Sequence, residues 1–157
     1  MRGPEIDGRV LAQGWCALSL LHDRIDAHLE KALQSAHGLS VREYSALVVL
    51  SEQHDGDGGH LSMTRLADTV ALSQSATTRL VTRLEERGLL VRYLCPTDRR
   101  GIYTNVTDAG RALFDRARET NDRALEEALA HAEKSPELRP LVEVVRAMQH
   151  AATAPRA

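Results

Sequence analysis

Between residues 8 and 36, apolar side chains recur at Leu11, Trp15, Leu18, Ile25, Leu29 and Ala32, with His22 in the same register. The steps alternate between four and three, which predicts one long helix with a narrow apolar seam rather than a wide core-facing stripe. At about 1.5 Å per residue such a helix runs for roughly 40 Å, more than a small domain covers by itself. A second subunit is expected to bury the excess. His37-Gly38 closes this helix, with glycine supplying a left-handed cap. Ser40-Val41-Arg42-Glu43 then forms a capping box for a second helix reaching about Gln53, whose inner side holds Tyr44, Leu47, Val48 and Leu50.

Beyond the glycine-rich stretch His54–His60, Leu61-Ser62-Met63 reads as a short edge strand, and Thr64 as the cap of a small helix ending near Val70. Ala71-Leu72 is a turn. Ser73 caps the next helix, which runs to Arg87 with Gly88 as its stop. Within it Ala76, Leu80 and Leu84 are predicted to face inward, and Gln74, Ser75, Thr77, Thr78, Thr82 and Arg83 outward. Leu89–Leu94 and Ile102–Val106 flank the loop Pro96–Gly101 as a β-hairpin. Thr107 caps a long helix from Asp108 to about Ala132, and Ser135-Pro136 opens a last helix carrying Leu138, Leu141, Val142, Val145 and Met148. The predicted fold is mainly α with a small β-hairpin wing (α+β), a winged helix-turn-helix with long helical dimerisation arms. Residues 1–36 and 108–157 are assigned to a helical dimerisation region and residues 37–107 to the winged helix-turn-helix, as one intertwined domain.

Charge sharpens this picture. The whole chain carries −2, which argues weakly against nucleic acid. From Ser73 to Gly101, however, six arginines (79, 83, 87, 92, 99 and 100) face three acids (Glu85, Glu86, Asp98), a local +3 that leaves −5 on the remainder. Positive potential is thus concentrated on the polar helix and the hairpin, where a helix in a major groove and a wing in a minor groove would meet duplex DNA. No apolar run is long enough to span a bilayer and the first residues lack a secretory pattern, so a cytoplasmic protein without membrane contact is expected. Only five aromatics argue against base-stacking RNA recognition. Walker-type, G-x-S-x-G and H-E-x-x-H motifs are absent, so neither an enzyme nor a cofactor is predicted.

The span from about Gly8 to Met148 resembles the MarR family of bacterial transcription regulators. Two stretches carry the resemblance: LSQSATTRLVTRLEERGLL, similar to that family's recognition helix, and TDRRGIYTNVTDAG, similar to its wing and the start of its fifth helix. The resemblance implies a homodimer packed through the first, fifth and sixth helices, binding a pseudo-palindromic operator and most often repressing. By position, Ser73, Gln74, Ser75, Thr77, Thr78 and Arg79 would lie in the major groove, with Arg83 on phosphate. Glutamine can read adenine and arginine guanine, while hydroxyls mostly hold phosphates. Arg99 and Arg100 form the wing tip. Arg100 would enter the minor groove, and Asp98 resembles the carboxylate that orients a basic wing side chain.

Three further groups carry candidate chemistry. The resemblance implies a small aromatic or phenolic effector in a cleft, and Trp15 and His22 could line it. Dimer packing for the Trp and a satisfied core imidazole for the His are favoured instead. Redox-sensing relatives carry a reactive cysteine in the first helix, in a setting like that of Cys16, but Leu20, Glu30 and Val41 stand where their tyrosines align. A small buried hydrophobe is therefore the expected role of Cys16, and Cys95 beside the wing is expected to be more exposed. His54, Asp55, Asp57 and His60 bear metal-ligand atoms on a glycine-rich loop that would have to be ordered first, and no metal site is predicted. The rival readings are a thiol-based redox sensor using Cys16, and a protein-interaction module that has lost DNA binding.

Overall fold

A computed structural model of the chain describes residues 7–54, 61–94 and 102–153. Along them run α1 (Gly8–His37), α2 (Val41–His54), β1 (Leu61–Ser62), α3 (Met63–Thr69), α4 (Gln74–Glu86), β2 (Leu90–Leu94), β3 (Ile102–Val106), α5 (Asp108–Ala132) and α6 (Arg139–Thr153). The mainly helical fold with a small β wing is the one expected from the sequence. Contacts divide the chain into two units, residues 30–121 and the residues up to 29 together with those from 122 onward.

Residues 30–121 form the winged-helix unit. Its core gathers Leu33 from α1, Leu39, Leu47 from α2, Leu66 from α3, Leu80, Val81 and Leu84 from α4, Leu90 from β2 and Val106 from β3. The sheet order is β1-β3-β2, antiparallel throughout, with Leu61 opposite Thr104 and Tyr93 opposite Tyr103. The small helix is capped by Ser62 rather than Thr64. Ser62 ends β1 in an extended conformation and its side chain accepts the Arg65 N–H, whereas Thr64 already lies inside the first turn.

Two helices here end on the same hydrogen-bond pattern. After α4, Leu89 N–H reaches the Leu84 carbonyl at 2.9 Å and Gly88 N–H the Glu85 carbonyl at 2.8 Å, with Gly88 at φ +71. After α3, Leu72 N–H reaches the Ala67 carbonyl at 3.0 Å and Ala71 N–H the Asp68 carbonyl at 3.3 Å. That left-handed position is filled by an alanine at φ 53. The turn between α3 and α4 is therefore a Schellman cap built without glycine, at a strain of roughly 1–2 kcal/mol.

The second unit is helical. Ala17, Leu21 and Ile25 of α1 pack with Leu125, Leu129 and Ala132 of α5 and with Leu138, Leu141 and Val142. The face buried within the chain is thus the Ala17–Leu21–Ile25 stripe, and not the amino-terminal part of the expected seam: Leu11, Trp15 and Leu18 are 65%, 68% and 47% exposed. Bidentate pairing of Arg146 with Glu126, at 2.7 and 3.1 Å, ties α6 to α5. The last helix begins at Arg139, later than Ser135-Pro136 suggested. Ser135 to Leu138 forms a tight turn in which Leu138 N–H bonds the Ser135 carbonyl at 3.1 Å.

Thr107 caps α5 as expected, its hydroxyl accepting the Gly110 N–H at 3.0 Å and donating to the Gly88 carbonyl at 2.7 Å. This draws the first turn of α5 onto the α4–β2 junction. A Cβ on Gly110 would sit 2.2 Å from the Leu89 carbonyl oxygen and 2.7 Å from a Val106 methyl. Gly110→Ala is accordingly expected to destabilise the chain by about 2 kcal/mol or more, read as a lower urea midpoint. An unchanged midpoint would mean that the α5–β2 approach is looser than described.

Candidate nucleic-acid interface

The face of α4 that points away from the core is set by what its other face must bury. Leu80, Val81 and Leu84 are at most 2% exposed, and Thr77 joins them at 0%. With 3.6 residues per turn, that leaves Gln74, Ser75, Thr78 and Arg79 exposed together at the start of the helix. Ser73 caps it as expected, accepting the Ala76 N–H at 3.2 Å, and Ser73 is itself exposed. The outward placement expected for Thr77 is corrected: its side chain is turned into the core and its hydroxyl donates to the Ser73 carbonyl at 3.0 Å. A buried threonine is stable there because the helix backbone satisfies its one polar atom. Thr78 makes the same kind of bond to Gln74, at 2.9 Å, from an exposed position, which keeps its methyl and hydroxyl near the surface.

Arg83 lies on the flank of α4 between these two faces. Its Nε donates to Glu43 Oε1 at 3.0 Å, and Glu43, at the start of α2, is only 6% exposed. Arg87, one turn on, approaches the other oxygen of Glu43 at 4.0 Å and donates to the carbonyls of Gly38 and His37 at 2.8 and 3.2 Å. The capping box expected at Ser40 is present as well: Ser40 N–H donates to Glu43 Oε2 at 3.0 Å and Glu43 N–H to Ser40 Oγ at 3.1 Å. The sequence pointed to Glu43 only as a local cap. Its second role as the counter-ion of two arginines forty and more residues away had one sequence trace, the Arg83/Arg87 pair at helical spacing.

At the root of the hairpin, Arg92 of β2 donates from its backbone N–H to Glu85 Oε1 at 3.2 Å and from Nε to Glu85 Oε2 at 2.9 Å. These hydrogen bonds, chiefly the side-chain ones, hold the Glu85 carboxyl below the ordinary glutamate range. The positive window found in the sequence is therefore partly spent internally. Among its described arginines, Arg83 and Arg87 answer Glu43, Arg92 answers Glu85, and the Arg79 side chain makes no ion pair or hydrogen bond with a described residue. Tyr93 and Tyr103 face each other across the hairpin with ring centroids 6.2 Å apart. Asp98, Arg99, Arg100 and Cys95 lie outside the described residues.

The remaining candidates sit on the helical unit. Trp15 is exposed and lines an open apolar hollow of about 600 Å³ with Val10, Leu11, Leu18 and Leu141. His22 is exposed too, touching Asp23 at 3.3 Å, and does not line that hollow, so the satisfied core imidazole is corrected. Cys16 is a free and exposed thiol, which corrects the buried small hydrophobe expected of it: at this point of α1 the inward positions are the half-buried Ala17 and the buried Leu21, one residue and five residues further on. His54 to His60 fall outside the described side chains. Among the described residues no group of three His, Cys, Asp or Glu side chains could hold a metal, and no helix is long and apolar enough to cross a membrane.

A helix-turn-helix followed by a hairpin, with a polar helix face and a core-locked reverse face, defines the winged-helix class of regulators. Comparison with known proteins places the chain within that class. The family model described as MarR family matches residues 37–101. A MarR-family transcriptional regulator from Rhodococcus sp. RHA1 is 34% identical, with 88% of this chain and 91% of that one covered and a TM-score of 0.66. CouR from Rhodococcus jostii RHA1, solved bound to p-coumaroyl-CoA, is also 34% identical, over 89% and 92% of the two chains with a TM-score of 0.64. The fold matches Sco3205, a MarR family regulator from Streptomyces coelicolor solved in complex with DNA, with a TM-score of 0.72, 24% identity and coverage of 99% and 94%. Of two curated helix-turn-helix transcriptional regulators 32% and 33% identical to it, the chain spans 63% and 54% of the length. The chain belongs to the MarR family of transcriptional regulators.

The Glu85–Arg92 pair gives a test of the hairpin root. Because the folded-state pKa of Glu85 is lowered, the stabilisation it brings is present at neutral pH and is lost as pH falls below 4.5 through the depressed value. In a carboxyl NMR titration Glu85 is expected to titrate below 4.5 in the native chain and to return toward it in Arg92→Gln. Identical curves would sever the hairpin root from α4.

Proposed function

We propose that the chain is a homodimeric, sequence-specific repressor of transcription, cytoplasmic, that binds a pseudo-palindromic duplex DNA operator and is released by a small-molecule effector. The observation that carries this reading is the start of α4. Ser73, Gln74, Ser75, Thr78 and Arg79 stand together on the exposed side of a helix whose reverse side is locked into the core. Such a face suits the major groove. Gln74 and Arg79 are the side chains able to read base edges, Ser73, Ser75 and Thr78 hold phosphate or register, and the outer nitrogens of Arg83 reach toward phosphate. Arg99 and Arg100 are assigned to the wing tip in the minor groove, with Asp98 orienting them. Thr77 drops out of the set because it is buried.

Dimerisation is supported by apolar surface that the single chain leaves uncovered. On the helical unit Val10, Leu11, Trp15 and Leu18 of α1, and Val144, Val145 and Met148 of α6, are exposed. Contiguous apolar surface of this kind marks an interface. Residues 1–36 and 108–157 are accordingly assigned to dimerisation and residues 37–107 to DNA binding. The effector is assigned to the class of small aromatic or phenolic acids or their thioesters. The p-coumaroyl-CoA bound by a relative 34% identical supports that class. Trp15 supplies an aromatic wall, and the role of His22 is open to a ligand because no core claims it. An effector acts by binding one spacing of the two reading helices better than the other.

The accessibility of Cys16 favours one second reading, release by oxidation of that thiol. Cys16→Ser is expected to leave peroxide-treated protein still on DNA under this second reading and to change nothing under the first.

Genomic footprinting of the purified protein, followed by titration of a recovered site, tests the main reading. Gln74→Ala and Arg79→Ala are each expected to cost about 1–3 kcal/mol of specific binding. Arg100→Ala should weaken binding severely, and log affinity should fall linearly with log salt. A stable monomer in sedimentation, or equal affinity for all duplexes at low salt, would overturn it.

A further inference from the structure

The winged-helix unit contains a polar junction that no core packing requires. Glu43 is buried at the start of α2, and among the described residues the partners of its carboxylate all come from outside α2. Ser40 N–H from the α1–α2 corner donates to it, and so does Arg83 Nε from α4, with Arg87 at 4.0 Å. Arg87 continues outward from that carboxylate to the carbonyls of His37 and Gly38, where the negative end of the α1 dipole lies. The corner is fastened from two more sides. Glu30 of α1 accepts the Val41 N–H at 2.7 Å, and His37 Nε2 meets Thr120 Oγ1 of α5 at 2.8 Å. The carboxyl-terminal end of α1, the first turn of α2 and the flank of α4 are therefore joined by directional bonds.

An apolar contact between these helices would allow α4 to roll by some degrees, because apolar packing has no preferred direction. The Glu43–Arg83–Arg87 joint does not, because a guanidinium fork fits its acceptors in one plane. We propose that Glu43 and Arg87 are positioning residues that fix the roll of the reading helix α4 against the end of α1, and so set operator specificity without touching DNA. This rests on the DNA-binding reading above. Arg87 lies at the carboxyl-terminal cap of α4, far along the helix from Gln74 and Arg79, and is held by two carbonyl acceptors with the Glu43 carboxylate 4.0 Å away.

The test uses the full-length protein carrying Glu43→Gln, Arg87→Met, Arg87→Lys, or Glu43→Gln with Arg87→Met, checked for native circular dichroism. Operator affinity is expected to fall at least tenfold in each single variant. Affinity for a scrambled duplex and the salt slope should stay unchanged. Arg87→Lys should fail to rescue, since an ammonium keeps the charge but not the fork. The double variant should lose no more than the worse single one, because both changes break the same joint. A DNA-free readout runs beside this: spin labels at Gln34 on α1 and Glu86 on α4, in a Cys16→Ser/Cys95→Ser background with labelled chains diluted among unlabelled ones. The single narrow distance of the parent should broaden in every variant. Full rescue by Arg87→Lys, additive losses, or an unchanged distance distribution overturns the proposal. A broadened distance in a protein whose parent shows no operator preference would instead sink the DNA-binding reading and leave the joint standing.

Discussion

The burial of one side of a single thirteen-residue helix constrains most of what surrounds it. Thr77, Leu80, Val81 and Leu84 must all leave water together, and the elements that surround them (α2, α3, β2 and the tail of α1) supply the apolar partners. Once that face is buried, rotation about the helix axis is confined to some degrees, and Gln74, Ser75, Thr78 and Arg79 face away from the core. The polar side makes only bonds within its own helix start, Thr78 to the Gln74 carbonyl and Ser73 with Ser75, and takes its direction from the buried side. Specific recognition needs that separation, since a side chain already satisfied within the protein has little to offer a base edge.

Backbone economy sets where α4 begins and ends. The Ser73 cap and the Gly88 Schellman motif satisfy its end groups within the chain, and the same motif at Ala71 lets α3 turn sharply into it. Alanine at that left-handed position costs strain that glycine would avoid. The smaller unfolded-state entropy of alanine offsets only part of that strain. Thr107 and Gly110 then bring α5 against the same corner, so one end of the reading helix, the start of β2 and the start of α5 share a single close-packed point.

Much of this was legible in the chain. Caps announce themselves by residue type at fixed offsets, so Ser40 with Glu43, Ser73, Gly88 and Thr107 could all be read directly, as could the hairpin from its alternation. Other placements were not. Thr77 is polar yet buried because a helix backbone satisfies its hydroxyl, and Cys16, which lacks the tyrosine partners of a sensor thiol, is nonetheless left uncovered on a helix flank. The choice of Ser62 over Thr64 depended on where β1 ended, a tertiary fact. The partnership of Glu43 with Arg83 and Arg87 joins residues forty or more positions apart, and nothing local encodes which of many arginines a buried glutamate will meet.

That partnership also changes how the charge of the chain should be counted. A window with six arginines looks like a broad cationic surface, yet most of its described cations already have anions or carbonyls of their own. Internal pairing does not abolish their field, but it fixes the geometry of three of the four described arginines. Long-range attraction to a polyanion and short-range discrimination among sequences thereby fall to different side chains. Attraction needs only net charge on one face and tolerates motion. Discrimination needs a helix that cannot roll. Under the positioning role proposed for Glu43 and Arg87, the second requirement falls to the joint behind the reading helix, so that a carboxylate buried there matters to recognition without touching DNA.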